Sequence, residues 1–375
     1  MPSLEVLLHT NTSNSLTMPH FETSDPIVKS TNTSGIELSL PPYLHTPLVD
    51  SARLSSVAGC KLMLKQEFAQ PSGSYKLRGL SHHIKTEIAA IEKDPSLQDR
   101  KILVVAASGG NAGNAVSYAA AHYGIPATIV VPSVANMNMR TKIQDNGATV
   151  VVAGDNIGQA DEYLRQVLIP QLPDDVLPIY CHPYEAPAVW EGHSSIVDEV
   201  VQDLERTGDL HRLKGVVCSI GGGGLYNGLV SGLNRNGLSH VPIMTLETSS
   251  CPTFQSAIDS GKSVILKSFN TIATTLACPY VTEKSVENYK SHKTKHILVK
   301  DSDAAHACLE FARDYNAIVE PACGVALCSV YDGLLQQNAE FFNGLGKDDI
   351  IVVIVCGGSA TTMEDLRHYK ESYNL

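Results

Sequence analysis

From Lys101 onward, short apolar runs alternate with helical stretches, and the glycine-bearing loops of note each follow an apolar run directly. Residues 102–107, 127–131 and 149–153 are apolar enough for buried strands, with helices expected over 114–122, 137–146 and 159–172. Residues 178–187 suggest a crossover loop, followed by a helix over 194–204. Strands over 216–220 and 242–246 flank a helix over 225–233. Helices over 303–315 and 322–335, a last strand over 350–355 and a polar helix from Thr362 complete the pattern. Before it, 51–58 suggests a short helix, 61–66 a strand, and a further helix runs to Ile91. Such alternation builds parallel βαβ units, whose ligands lie at the carboxyl ends of the strands. No period of 20 to 50 residues recurs, which excludes a repeat architecture. The expected fold is α/β, and 375 residues leave room for two domains.

Composition narrows the function classes. The apolar fraction of 43% is ordinary for a globular protein, and the longest apolar runs are far too short to cross a bilayer. A net charge of −11 without basic clusters argues against a nucleic-acid partner. Nine cysteines stand singly, with no Cys-x-x-Cys and no zinc-like spacing, so reduced intracellular thiols are expected. The first fifty residues contain no Arg and one Lys, Lys29, and have neither a signal-peptide core nor a presequence composition, which favours the cytosol. Residues 1–38, rich in Thr, Ser, Asn and Pro, are expected to form a flexible tail, and the sequons at Asn11 and Asn32 are chance matches within it.

Four stretches carry chemistry. In Pro71-Ser72-Gly73-Ser74-Tyr75-Lys76, a lysine follows a small bendable turn and stands beside an aromatic ring, with apolar sequence on either side. Packed under apolar cover, its amine loses solvation, its pKa falls, and it can attack a carbonyl to form a Schiff base. A surface lysine opening an amphipathic helix is the plain alternative. Ser108-Gly109-Gly110-Asn111-Ala112-Gly113 would offer free N–H groups to a carboxylate or phosphate, or else Ser108 or Asn111 simply caps a helix. Gly221-Gly222-Gly223-Gly224 suits a nest of N–H groups around a phosphate. A dinucleotide fingerprint using Glu247 would want a third small residue where Asn227 stands, which favours a single phosphate. Cys356-Gly357-Gly358-Ser359 offers a nucleophile, a buried strand-closing thiol, or a partner for a cofactor ring nitrogen.

In their order and spacing these stretches, with Trp190-Glu191-Gly192-His193 and Val319-Glu320-Pro321-Ala322-Cys323-Gly324, resemble the fold-type II pyridoxal-phosphate enzymes, most closely the eukaryotic L-serine/L-threonine dehydratases. The resemblance runs from about Pro42 to the C-terminus. It implies two open-sheet, three-layer α/β domains, a large one over 39–80 and 182–375 and a small one over 81–181, with pyridoxal 5'-phosphate in the cleft between them. It also implies that Lys76 carries the cofactor, Tyr75 packs on its ring, and Gly221, Gly222, Gly223 and Gly224 hold its phosphate. Asn111 would bond its phenolic oxygen and Cys356 its ring nitrogen, while Ser108, Gly109 and Asn111 would receive the substrate carboxylate. A monovalent-cation site, for K+, maps onto Gly221, Glu247, Cys251, Leu276 and Cys278. A homodimer is implied as well.

The activity so implied is β-elimination: L-serine to pyruvate and ammonia through aminoacrylate, and L-threonine to 2-oxobutanoate. Lys76 would take the α-proton and the cofactor phosphate would protonate the departing hydroxyl. A thiol at the ring nitrogen leaves the ring a weaker electron sink, which favours elimination over long-lived carbanions. Serine racemase is the nearest rival, but related racemases have Ser where this chain has Gly109 and His where it has Ala112. Biosynthetic threonine deaminase would add a regulatory domain after the Cys356 loop, which is not expected here. A non-enzymatic phosphate-binding module would have no need of Lys76. Serine and threonine are not ranked by sequence, since one methyl in a pocket is worth about 1–3 kcal/mol.

Overall fold

Strand β11 (Ile350–Val355) is entirely Val and Ile, β8 (Leu213–Ser219) carries a Val-Val-Cys run, and β9 (Ile243–Thr248) mixes Ile, Met and Leu with two threonines and Glu247; β9 and β11 are buried at every residue. Strands apolar on both faces require cover on both, which is why they form a parallel sheet within helices. The computed structural model describes residues 31–32, 40–97 and 99–375. Most of the tail expected over 1–38 therefore lies outside the described residues.

The larger sheet has the order β10-β9-β8-β11-β3-β2. Here β2 is Leu48–Asp50, β3 Lys61–Gln66 and β10 Thr294–Val299. Only the edge strand β2 is antiparallel. The smaller sheet is built on β4 (Lys101–Ala107), which pairs in parallel with β5 (Ala127–Val131) and β7 (Val176–Tyr180). Beyond β5 lies β6 (Thr149–Val152), and the two-residue β1 (Thr31–Asn32) pairs antiparallel with the start of β4.

The helices in chain order are α1 (Ala52–Ala58), α2 (Lys76–Glu92), α3 (Asn111–His122), α4 (Met137–Asp145), α5 (Ile157–Tyr163), α6 (Pro187–Thr207) and α7 (Gly224–Arg235). There follow α8 (Thr253–Ser260), α9 (Glu283–Ser291), α10 (Asp301–Tyr315), α11 (Pro321–Tyr331), α12 (Leu334–Gln337) and α13 (Met363–Tyr373). In the smaller sheet, alternate residues of β4 feed separate cores. Ile102, Val104 and Ala106 pack with Leu77, Leu80 and Ile84 of α2 and Ala115 and Val116 of α3. Leu103, Val105 and Ala107 pack with Ala160, Leu164 and Leu168. This is the three-layer α/β arrangement expected.

Besides shifted helix ends and the unexpected helices α8 and α9, the sequence pattern and the structure differ in three regions. Residues 178–187 are not only a crossover loop, because β7 occupies Val176–Tyr180. Pro178 hides this strand, but β7 pairs with β4 alone, and proline is tolerated at a sheet edge. The helix expected over 159–172 ends as α-helix at Tyr163 and continues as a π-turn over Leu164–Leu168 and a 3-10 turn over Ile169–Gln171, where Pro170 cannot donate. Strand β10, polar along much of its length, was not anticipated.

Candidate active site

Three loops, each following a parallel strand, meet at the start of α2. The turn Ser72-Gly73-Ser74 lies against the loop after β11: Gly358 N–H donates to Gly73 O at 2.9 Å, and Ser74 bridges to Gly357. The Tyr75 N–H donates to Cys356 O at 3.3 Å. Lys76 is therefore the first residue of a seventeen-residue helix whose entry is tied to the carboxyl end of the central strand β11.

Lys76 is half-buried, and its Nζ donates to Pro183 O at 2.6 Å. Burial lowers its pKa to about 8, with the Cys278 and Cys356 thiols pulling the other way. The amine lies 5.3 Å from the centroid of the Tyr75 ring. That ring packs on the His193 imidazole with centroids 4.9 Å apart, and burial raises the phenol well above its ordinary value. The plain alternative of a solvated surface lysine does not describe Lys76.

The glycine run lies one residue away through the chain's own contacts. Tyr184, next to the carbonyl that Lys76 holds, packs so closely on Gly222 that any side chain there would overlap it, and a Cβ at Gly224 would press on it at 3.1 Å. Gly223 has φ 92°, in the left-handed region, and caps α7 without a side-chain bond. The first N–H groups of α7 consequently have no capping side chain, as an anion site at a helix start requires.

Helix α3 starts at Asn111, three residues before its expected start, and its N-cap is Gly110 with no side-chain bond, so neither Ser108 nor Asn111 caps it. Instead the Ser108 Oγ accepts from the Gly110 N–H at 3.3 Å. Asn111 reaches two distant segments: its Nδ2 donates to Glu320 Oε2 at 2.8 Å and its Oδ1 accepts from the Ser359 N–H at 3.1 Å. Gly109 backs onto Ala135, and a Cβ there would fall 2.5 Å from the Ala135 Cβ. Cys356 is buried, with its thiol 3.7 Å from Ser219 Oγ.

The residues expected around a cation lie next to the glycine turn. Gly221 backs onto the Leu276 carbonyl, and the Cys278 carbonyl accepts from Thr253 Oγ1 at 2.8 Å and from the Cys251 thiol at 3.9 Å. The Glu247 carboxylate, on neighbouring β9, accepts from Phe254 N–H at 2.9 Å, Gln255 N–H at 2.7 Å and His296 Nε2 at 3.0 Å. Engaged with the start of α8, it is not free for a ribose, which removes the dinucleotide reading. Among the described residues no group of three or more His, Cys, Asp or Glu side chains could hold a metal ion. No described helix is long and apolar enough to cross a membrane.

Sequence reasoning gave no role to Glu320, Thr275 or Arg78. Glu320 had a signal, an acid between Val319 and Pro321 in an otherwise apolar stretch, where an unpaired charge is costly. Arg78 had none, because its partners Glu67 and Glu199 are 11 and 121 residues away.

The residues fit a lysine-bound pyridoxal phosphate. The amine is desolvated, the glycine turn admits no side chain beside an uncapped helix start, and the buried Ser74 hydroxyl has no protein partner. The comparisons agree. The chain is 38% identical over 333 residues to a catabolic L-serine/threonine dehydratase of Saccharomyces cerevisiae, covering 88% of this chain and 91% of that protein. It is 36% identical over 336 residues to the L-serine dehydratase/L-threonine deaminase of Homo sapiens, covering 89% and 97%. Its fold matches the crystal structure of a fungal L-serine ammonia-lyase from Rhizomucor miehei with a TM-score of 0.79 and 30% identity, covering 88% of this chain and 99% of the other. With residues 40–357 matching the family profile itself, the chain belongs to the family of pyridoxal-phosphate-dependent enzymes.

Proposed function

We propose that this protein is an L-serine ammonia-lyase that also accepts L-threonine, releasing ammonia and pyruvate or 2-oxobutanoate. The observation that carries the reading is Lys76, a half-buried amine with pKa lowered to about 8, next to the glycine turn. Lys76 would hold the cofactor, with Gly221–Gly224 at its phosphate, Tyr75 against its ring, Asn111 at its phenolic oxygen and Cys356 at its ring nitrogen. Pyridoxal phosphate, when bound, supplies an electrophilic carbon for an amino group and a ring that withdraws electrons from the neighbouring C–H bond.

This chain's residues do the rest. Ser108, Gly109 and Asn111, at the start of α3, receive the substrate carboxylate through N–H groups and short polar side chains. Near neutral pH an amine of pKa about 8 is neutral often enough to accept the α-proton as the β-hydroxyl departs. The Cys356 thiol is a weak donor, so it does not force a proton onto a neighbouring nitrogen. In this reading the larger sheet with its helices, 39–80 and 182–375, holds the cofactor and 81–181 covers it. A potassium ion at the carbonyls of Gly221, Cys251, Leu276 and Cys278, beside Glu247, a cytoplasmic location and a homodimer belong to the same proposal. The melting temperature in potassium against tetramethylammonium tests the ion.

Racemisation is disfavoured by a specific contact. A serine at 109 would drive its Cβ to 2.5 Å from Ala135. The deciding assay measures pyruvate and 2-oxobutanoate from L-serine and L-threonine at equal concentration, with D-serine followed in parallel. Yellow protein releasing keto acid supports the reading; colourless protein that releases none refutes it.

A further inference from the structure

Glu320 is 2% exposed at the entry of α11, and the reaction proposed above gives it no task. Three donors from three separate segments meet on its carboxylate. Asn111 Nδ2 donates to Oε2 at 2.8 Å, Thr275 Oγ1 to the same oxygen at 2.5 Å, and the Ala360 N–H to Oε1 at 2.8 Å. Gly358, with φ 122°, passes so close that a side chain there would overlap the carboxylate. Burial pushes the carboxyl up, while Thr275, Ala360, Asn111 and Lys142 favour its charged form. Three donors on two oxygens are matched most fully by the carboxylate, which only accepts, whereas the protonated acid would also have to donate.

The far end of the Asn111 amide is fixed independently. Its oxygen accepts from the Ser359 N–H, and a backbone N–H can only donate. The amide nitrogen must therefore face Glu320. It carries two hydrogens, and Glu320 takes one.

We propose that Glu320 is a positioning residue: it holds the Asn111 amide in the single orientation that offers its second N–H to the bound cofactor, and it does so without touching the reacting atoms. This rests on the function proposed above. The carboxylate's acceptor-only character is what matters. A glutamine has one oxygen and one NH2 group to set against three donors. With its NH2 at the Oε2 position the glutamine faces the Asn111 NH2, which turns over at the expense of the Ser359 N–H; with its NH2 at the Oε1 position it faces the Ala360 N–H, and the carboxamide is pushed off the donors it would share with Asn111.

The test uses holoenzyme variants E320Q, N111A and E320Q/N111A, with E320D as the conservative control. Turnover of L-serine by the parent is measured first, and a parent without it overturns both this assignment and the function on which it rests. In an active enzyme, E320Q lowers kcat/KM on the order of 100-fold, the scale for a misplaced group at a reacting centre. It also shifts the visible absorption of the bound cofactor in the same direction as N111A. The double variant is no worse than N111A by more than about twofold, since both changes remove one interaction. E320D, still acceptor-only, keeps the parent absorption, and this arm decides the matter should E320Q fail to fold. E320Q with parent turnover and absorption, losses that multiply in the double variant, or E320D with the N111A absorption overturns the assignment alone.

Discussion

The Lys76 ammonium donates to the Pro183 carbonyl at 2.6 Å, and the next residue, Tyr184, backs onto the glycine turn. A single carbonyl is a modest partner for a buried cation, so desolvation wins and the pKa falls to about 8. The unfolded chain holds this proton up to about pH 10.4 and the cofactor-free fold releases it near pH 8, so the fold is penalised below pH 8 and relieved as pH rises from about 8 to 10.4.

Lys76→Met removes that buried charge. Turnover is abolished, while the cofactor-free variant is more stable than the cofactor-free parent at pH 7 by about 2–3 kcal/mol. The gap narrows toward pH 10. Urea midpoints of the two cofactor-free proteins across this range check it, and a gap independent of pH would show that Lys76 is solvated.

Gly109→Ser introduces the serine found in related racemases. With its Cβ 2.5 Å from that of Ala135, the variant loses about 1–3 kcal/mol and most of its lyase activity, and gains no D-serine production. Pairing it with Ala135→Gly restores stability, read from thermal melts. Racemisation by the single variant at parent stability would refute the contact.

The parts of this molecule legible in its sequence are those set by local physics. Strands over 127–131 and 350–355 agree with the structure at both ends, because buried parallel strands leave unbroken apolar runs. The desolvated setting of Lys76 and the close packing of the glycine turn were legible because a costly residue pattern needs a reason. The polar framework was not. Asn111 and Glu320 are 209 residues apart, Arg78 and Glu199 121, and no local pattern reports such pairs. Strand β7 was missed because a proline overrides an apolar signal that pairing on one side tolerates.

Arg78 is fully buried and fully bonded. It donates to Glu67 from Nε at 2.7 Å and from Nη2 at 2.8 Å, and to Glu199 from Nη1 at 2.6 Å and from Nη2 at 2.7 Å. Lys65 completes the network on Glu199 at 2.5 Å. Arg78→Met leaves two buried carboxylates with one cation, costing about 3–5 kcal/mol by denaturant midpoint. Changing Glu67→Gln in the same chain recovers part of that loss, since one stranded charge disappears. Equal stability for Arg78→Met and the parent would show that water reaches this network.

His193 shows the opposite economy. It is fully buried, neither ring nitrogen has a protein partner, and its pKa lies well below the ordinary value, through burial first and then the charges of Lys76 and Arg78. The folded protein keeps the ring neutral, whereas the unfolded chain takes a proton below about pH 6.5. Stability attributable to this site is therefore intact above that pH and declines as pH falls, by up to about 1.4 kcal/mol per unit. His193→Leu removes the titration and two unsatisfied nitrogens together. The variant equals or exceeds the parent in urea midpoint at pH 7, and between pH 7 and pH 5 it loses about 2 kcal/mol less. His182, held near a pKa of about 4 by burial, still titrates in both proteins, so acid sensitivity shrinks without vanishing. An identical pH 7-to-5 loss in parent and variant would mean that His193 is hydrated in the fold.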